Sequence, residues 1–330
     1  MSEPAATAPR VTVVIPTRDR RDLLARALGT VLAQRDVALE AVVVDDGSSD
    51  GTPAWVGSHP DPRVRLIAHE RPAGVARARN DGIAAARAPW TAFLDDDDVW
   101  APDKLSRQVA VASDGVALAY CGAVLVDPGL RMVGLRRTPD PGELSPAILD
   151  TNLVGTPSGV MAATAALRAA GGFDEDLGIL ADWDMWIRLL AHGGPACCPD
   201  PLLGYTVHPG NMHVADPARL RSELRTMRAR HADACREAGV ELGGERFSRW
   251  LVRRYRAAGR RRAAARVYVG LARRTRSPRD LGRAAGVLLG EGAMRRAGGE
   301  FTAEPLAPGP EPAWLADLRA SAGSGGRDGG

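Results

Sequence analysis

The stretch Trp90–Trp100, WTAFLDDDDVW, decides how this chain is read. Trp90, Ala92, Phe93 and Leu94 make an apolar run suited to a buried strand, which ends abruptly in four carboxylates, Asp95 to Asp98. A strand that ends this way carries concentrated negative charge to its own C-terminal tip. In open α/β sheets the loops leaving those tips form the ligand crevice. Four adjacent carboxylates repel one another unless a cation sits among them, so a hard divalent metal is the economical reading of the run. A freely solvated turn would not return at once to Val99 and Trp100.

Upstream, Val11–Ile15 (VTVVI) is a β-branched run stopped by Pro16, which predicts a central parallel strand with the polar loop Thr17 to Arg20 at its tip. Leu23, Leu24, Ala27, Leu28, Val31 and Leu32 then recur at helical spacing. Leu39 to Val44 repeats the apolar run and ends in Asp45 and Asp46, Val64 to Ala68 reads as a third strand, and a helix runs from Gly74 to about Arg87. This alternation predicts an α/β fold with a doubly wound sheet. Three tips then meet at one edge: Pro16 with Thr17, Asp45 with Asp46, and the Asp95 to Asp98 run. Neither a dinucleotide fingerprint nor a P-loop follows the first strand, so phosphates fall to the metal and to Arg71, Arg77 and Arg79.

Downstream, a helix is expected from Ala101 to Val111, a strand through Val126, and loop from Asp127 to Pro146. Asn152 to Ala162 suits a pocket wall, and Gly171 to Glu175 a turn. In Asp182 to His192 (DWDMWIRLLAH), Asp182 shares a helical face with Met185, Trp186, Leu189 and Leu190, while Asp184 and Arg188 are spaced to pair. Of the two histidines after the next strand, His213 reads as exposed; His208 is a candidate to join Asp97 on a metal. Beyond Asp216 the pattern is helical and basic, with sixteen arginines against two acids between Arg246 and Arg296. Such helices can lie on an anionic bilayer or cover a core, and a packed appendage is favoured. The Gly, Ala and Pro-rich tail is expected to be disordered.

Composition sets the outer bounds. With 330 residues, 45% hydrophobic and 25% charged, the chain is of soluble globular type. Its longest nearly apolar run, Gly115 to Val126, is far short of the ~20 residues of a membrane span. The N-terminus lacks a signal-peptide core. Four cysteines without CxxC spacing suit a reduced, cytoplasmic protein, with peripheral contact at the inner face of the membrane as the one membrane option. No nucleic-acid recognition motif accompanies the arginines.

Taken in order, VTVVIPTRDR, VVVDDGSSDGT, GVARARNDGI, FLDDDDVW, GGFDE and ADWDMWIRL resemble the family 2 glycosyltransferases of the GT-A fold across residues 10 to 213. The resemblance implies a doubly wound, mostly parallel sheet with a Rossmann-like nucleotide-sugar-binding half (10–110) and an acceptor-binding half (111–215). A basic helical region (216–298) and a disordered tail (299–330) complete the expected division. It further implies that Pro16, Thr17, Arg18, Asp45, Arg77, Asn80, Asp95 and Asp96 hold a nucleotide-diphosphate sugar. Asp95 and Asp97, with His208, would bind Mg²⁺ or Mn²⁺. Asp182 would be the base for inverting transfer to an acceptor glycan, lipid-linked or small. The chain departs from the family at Ala181, where a Glu is common, and its DDDD run leaves the metal motif two registers. Two rival readings are a sugar-1-phosphate nucleotidyltransferase, which usually has a Gly-rich loop absent from PTRDRRD, and a non-catalytic sugar-nucleotide-binding protein, for which a missing Asp182 is expected.

Overall fold

The computed structural model describes residues 8–136, 138–208, 216–289 and 309–324. It divides into two compact units, one comprising residues 1–144, 154–208 and 307–330, the other 145–153 and 209–306. The first holds a nine-stranded sheet among the described residues. Its leading half follows from the apolar runs: β1 (Val11–Thr17), β2 (Leu39–Asp45), β3 (Val64–Ala68) and β4 (Trp90–Phe93) are all parallel, in the order β3-β2-β1-β4. Helices α1 (Arg21–Leu32), α2 (Thr52–Gly57) and α3 (Val75–Ala85) connect them. Every residue of β1 and of β2 is buried, as expected of strands covered on both faces.

The register fixes the edge. Thr17 is the Cα partner of Asp45, and Phe93 is the partner of Val14, so the three tips end side by side. Helix α3 lies close on β1, where a Cβ at Gly82 would run into both Cγ atoms of Val14. Gly82→Ala is therefore expected to destabilise the protein by about 1–3 kcal/mol, read as a lower urea midpoint at unchanged slope. An unshifted midpoint would mean that α3 can move off the sheet freely.

The second half of the sheet is mixed rather than parallel. After β5 (Val99–Trp100) and α4 (Lys104–Val111) come β6 (Val116–Val126), β7 (Met132–Arg136), α5 (Pro141–Asp150), β8 (Val160–Ala163), α6 (Thr164–Ala169), α7 (Ala181–Leu189) and β9 (Gly194–Thr206). Strand β8 pairs antiparallel with both β4 and β6, β9 runs parallel to β6, and β5 and β7 are antiparallel to their neighbours. One expectation is corrected here. Residues 127 to 146 hold β7 and the start of α5 as well as loop, and of the stretch expected as a pocket wall, 152 to 162, the last three residues belong to β8 in the middle of the sheet.

The tail differs as well. Ala313–Ser324 is a helix whose Leu315 is fully buried in a cluster with Val99, Val124, Val126 and Leu130, while Trp314 Nε1 donates to the Pro201 carbonyl at 3.0 Å. An aromatic and a leucine in AWLADL are enough to hold a short helix on apolar surface despite the Gly-rich flanks.

The second unit is helical: α8 (Pro217–Arg230), α9 (Ala232–Ala238), α10 (Glu245–Ala257), α11 (Arg261–Thr275) and α12 (Pro278–Leu289). Asp216 caps α8, its carboxylate accepting the backbone N–H of Ala218 and Arg219. Leu251, Val252, Tyr255, Ala264, Tyr268, Leu271, Ala284 and Val287 are buried and give the helices an apolar interior. No helix among the described residues is long and apolar enough to cross a membrane. His213 lies outside the described residues.

Candidate active site

Strand direction brings the acidic run together with residues far away in sequence. Because β8 is antiparallel to β4, the residues entering β8 arrive at the tip where β4 ends. Ser158 Oγ there accepts the Asp95 N–H at 3.0 Å, and its carbonyl accepts Trp100 Nε1 at 2.8 Å. Because β9 is antiparallel to β5, with Val99 opposite Gly204, the same register carried two residues further sets Thr206 across from Asp97. Thr206 accordingly donates its N–H to Asp98 Oδ1 (2.8 Å) and its hydroxyl to the Asp97 carbonyl (2.5 Å). Two residues on, His208 Nε2 lies 2.9 Å from Asp97 Oδ2.

The four aspartates therefore have different surroundings. Asp98 is fully buried, and burial, with Asp97 and Asp95 adding, pushes its pKa well up. Asp96 accepts from the Thr17 hydroxyl at 2.8 Å and from Arg20 at 3.1 Å; burial raises it to about 6, against the pull of Arg20 and Thr17. Asp97 shares the Arg20 guanidinium at 3.2 Å. Asp95 accepts from Arg79 at 2.5 Å and, more weakly, from the Thr156 hydroxyl at 3.4 Å. Asp95 and Asp97 thus stay partly open to the crevice, while Asp96 and Asp98 point inward.

At the β2 tip, Asp45 is buried; Oδ2 accepts the Ser48 N–H at 3.0 Å, and Oδ1 has no hydrogen-bond partner among the described residues. A buried acceptor left open costs free energy unless a ligand completes it. Asp46 does structural work, accepting the N–H groups of Ala73 (2.7 Å) and Gly74 (2.9 Å) and lying 2.9 Å from His69. His69 in turn reaches Asp81, also at 2.9 Å, and both carboxylates hold its pKa above the usual value.

Aromatic packing delivers Asp182. Phe93 at the end of β4, Phe173 and Trp186 of α7 form a trio with centroid separations of 5.3, 6.5 and 5.9 Å. Helix α7 is thereby held against the strand that carries the acidic run, and Asp182 stands in its first turn. Burial raises the Asp182 pKa to about 6; Asp95 adds to this, while Arg79 and the Trp183 N–H, which donates to Asp182 at 2.7 Å, oppose it. Arg79, 5.4 Å from the centre of the Phe173 ring, therefore acts on both Asp95 and Asp182. Asp184 pairs with Arg188 at 2.8 Å as its spacing foretold, although the pair's carboxylate is wholly buried.

Other expected residues lie differently. Asn80 clamps the Gly171 to Glu175 turn, donating to the Phe173 carbonyl (2.9 Å) and accepting the Phe173 N–H (2.7 Å). Arg77 is exposed and bound to Asp81 at 3.0 Å, Arg18 is exposed beside Asp19 at 3.7 Å, and Arg71 is exposed. Pro16 is buried within β1. Arg20 and Thr206 were not foreseen, and Ser158 was foreseen only as part of the pocket wall at 152 to 162. Arg20 had a readable signal, a cation in the loop leaving the first strand, but Ser158 and Thr206 needed the antiparallel pairings. Among the described residues, no group of three His, Cys, Asp or Glu side chains is arranged to hold a metal by itself.

Comparison with known proteins agrees with this architecture. Residues 12–166 match the family model described as glycosyl transferase family 2. The succinoglycan biosynthesis protein ExoO of Rhizobium meliloti is 38% identical over 250 residues, 71% of this chain and 68% of that protein. The Escherichia coli protein WfgD, named a UDP-Glc:α-D-GlcNAc-diphosphoundecaprenol β-1,3-glucosyltransferase, is 34% identical over 31% of this chain and 40% of its own length. Among solved structures, S. aureus TarS 1-349 in complex with UDP-GlcNAc aligns with a TM-score of 0.59 at 16% identity, covering 88% of this chain and 93% of that one. The mannosyltransferase PcManGT of Pyrobaculum calidifontis, in complex with GDP-Man and Mn²⁺, aligns at 0.54 and 22% identity, over 96% and 80%. With its tip-bearing parallel half-sheet, mixed second half and matching sequence, the chain belongs to glycosyl transferase family 2 and is a glycosyltransferase of GT-A fold.

Proposed function

We propose that this enzyme transfers a sugar, with inversion, from a nucleotide-diphosphate donor to a hydroxyl of an acceptor glycan, lipid-linked or small. One observation carries the reading: the Phe93, Phe173 and Trp186 trio holds α7, with Asp182 in its first turn, against the strand whose tip bears Asp95 to Asp98. Asp182 takes the proton of the acceptor hydroxyl as the oxygen bonds to the anomeric carbon, and the bond from that carbon to the diphosphate breaks. The open Oδ1 of Asp45 receives an N–H of the nucleotide base, beside Thr17. Arg79, buried and ion-paired with Asp95, offsets the charge of the acidic loop from within.

A divalent cation suits the chemistry of the donor set. Asp97 and His208 offer a hard carboxylate and an imidazole side by side, and Mg²⁺ or Mn²⁺ is commonly held by one or two protein groups with substrate phosphates completing the shell. When bound it would neutralise the departing diphosphate. Of the two motif registers, Asp95 and Asp97 are favoured, because Asp96 and Asp98 are committed to Thr17, Arg20 and Thr206. The relatives' printed names point to polysaccharide assembly, and WfgD's to a lipid-diphosphate acceptor.

A thermal-shift series with UDP-, GDP- and dTDP-sugars, with and without Mn²⁺, tests the donor half. A donor at a hundred times its Kd is expected to stabilise the protein by about 2.7 kcal/mol, with Mn²⁺ strengthening the effect. If no nucleotide sugar raises the melting temperature, the reading fails.

A further inference from the structure

The loop between β3 and α3 crosses the β2 tip and is tied to it at both ends. At its start the His69 N–H donates to the Asp45 carbonyl at 2.9 Å. At its end the N–H groups of Ala73 and of Gly74, the residue that opens α3, donate to the Asp46 carboxylate at 2.7 and 2.9 Å. In between, a Cβ on Gly47 would come within 2.9 Å of the Pro72 nitrogen and 3.0 Å of the Arg71 carbonyl carbon. The loop therefore lies directly on the turn that follows Asp45 and Asp46.

One side chain links this loop to both the β2 tip and α3. His69 is mostly buried, with Nδ1 2.9 Å from Asp46 Oδ1 and Nε2 2.9 Å from Asp81 Oδ2. A neutral imidazole has one N–H and would turn a lone pair toward one of the two carboxylates; only the imidazolium donates to both. Other charges nearby are accounted for. On α3, Asp81 also accepts from Arg77 Nε at 3.0 Å; on β3, Arg65 pairs with Glu40 at 2.8 Å; Glu70 and Arg71, next in the loop, are exposed. The hydrogen bond to Asp46, helped by that to Asp81 and by both charges, raises the His69 pKa above its ordinary 6.5 against the opposing effect of burial.

We propose that His69, as an imidazolium, is a positioning residue for the donor nucleotide: by bridging Asp46 and Asp81 it holds the 70–74 loop on the β2 tip and keeps the Asp45 carboxylate in place for the base. The proposal rests on the reading above that Asp45 Oδ1 receives the base. Asp45 is one peptide from Asp46, and the backbone of both is fixed here, the Asp45 carbonyl by the His69 N–H and the Asp46 N–H by the Thr17 carbonyl at 2.9 Å. When the ring loses its proton, one carboxylate faces a lone pair. Whichever of the two then turns away, the bridge between the β2 tip and α3, on which the loop hangs, is cut. Donor affinity is thereby coupled to the His69 proton, full below its folded pKa and lost as pH rises through it.

Calorimetric titration of the full chain with UDP, GDP and dTDP in the presence of Mg²⁺, from about pH 6 to about pH 8.5, tests it. For the diphosphate that binds, the wild-type dissociation constant should rise about tenfold across that range. His69→Gln cannot carry the charge, so it should bind about tenfold more weakly already at the acid end and show no further rise. Asp81→Asn keeps an acceptor for Nε2 but removes one of the two charges. Its affinity should match wild type at the acid end, and its rise should begin about one pH unit lower. With the matching nucleotide sugar, His69→Gln should raise the donor KM by the same factor while kcat stays within about twofold. A histidine that merely filled space would weaken binding equally at every pH. Should His69→Gln not fold, the wild-type and Asp81→Asn profiles decide alone. A flat wild-type profile, a rise that persists in His69→Gln, an Asp81→Asn profile that coincides with wild type, or a fall in kcat at unchanged KM overturns the proposal and leaves donor binding intact. A wild type that binds none of the three diphosphates defeats the Asp45 reading itself, and the proposal with it.

Discussion

Asp182→Asn is expected to cut turnover by about 10²–10⁴-fold while leaving donor affinity near wild type. The amide keeps the size of the side chain and its hydrogen bond from the Trp183 N–H, but it cannot take a proton. The folded pKa near 6 also fixes the direction of the pH dependence. Only the carboxylate form accepts a proton, so kcat/KM should fall about tenfold per pH unit below 6, and this acid limb should vanish in the variant. Stability moves the other way. A carboxyl whose folded pKa exceeds its unfolded value of 3.8 binds a proton more tightly in the native state. Its destabilising effect therefore grows from about pH 4 to pH 6 and is complete above. Asp182→Asn should accordingly match or exceed the wild-type melting temperature at pH 7. A variant that unfolded early but turned over normally would reverse both assignments.

Removing the cation, or the carboxylate proposed to hold it, is the second large effect. Lewis-acid stabilisation of a leaving diphosphate is worth several kcal/mol, which corresponds to about 10²–10³-fold in rate. Treatment with EDTA should produce that loss and added Mn²⁺ should reverse it. Asp97→Ala should reproduce it without rescue, since Asp97 is the carboxylate beside His208, and Asp95, ion-paired with Arg79, would be left to hold the cation with the imidazole. The control is Asp98→Ala. Asp98 is fully buried and accepts the Thr206 N–H, so its replacement should be read first as a lowered melting temperature. If chelation left transfer untouched, Asp97 and His208 would be a hydrogen-bonded pair and nothing more.

The parallel half of the sheet was legible because its strands are buried on both faces and must be written as unbroken apolar runs. Val11 to Ile15 and Leu39 to Val44 have no other economical reading. The same logic placed Asp45 and the Asp95 to Asp98 run at one edge, since parallel strands end on the same side. What escaped notice has physical causes. Strand β8 adds only four residues after a Pro- and Gly-containing segment, too short for periodicity to register. The helix at Ala313–Ser324 is fixed by tertiary contacts of Trp314 and Leu315 rather than by local propensity. Asn80 fell within a motif that implied donor binding, yet its side chain is spent on the Phe173 backbone. Arg20 and Thr206 belong to the acidic loop only through pairings that a linear reading does not contain.

The aromatic trio of Phe93, Phe173 and Trp186 has a consequence for how variants of this enzyme will behave. These rings hold no proton, yet they set the span between Asp182, the proposed base, and the acidic loop proposed to receive the leaving group. Trimming Phe173 to leucine would alter that span without altering either functional end. The loss would be felt in kcat more than in the donor's KM, a kinetic defect whose origin is purely one of spacing.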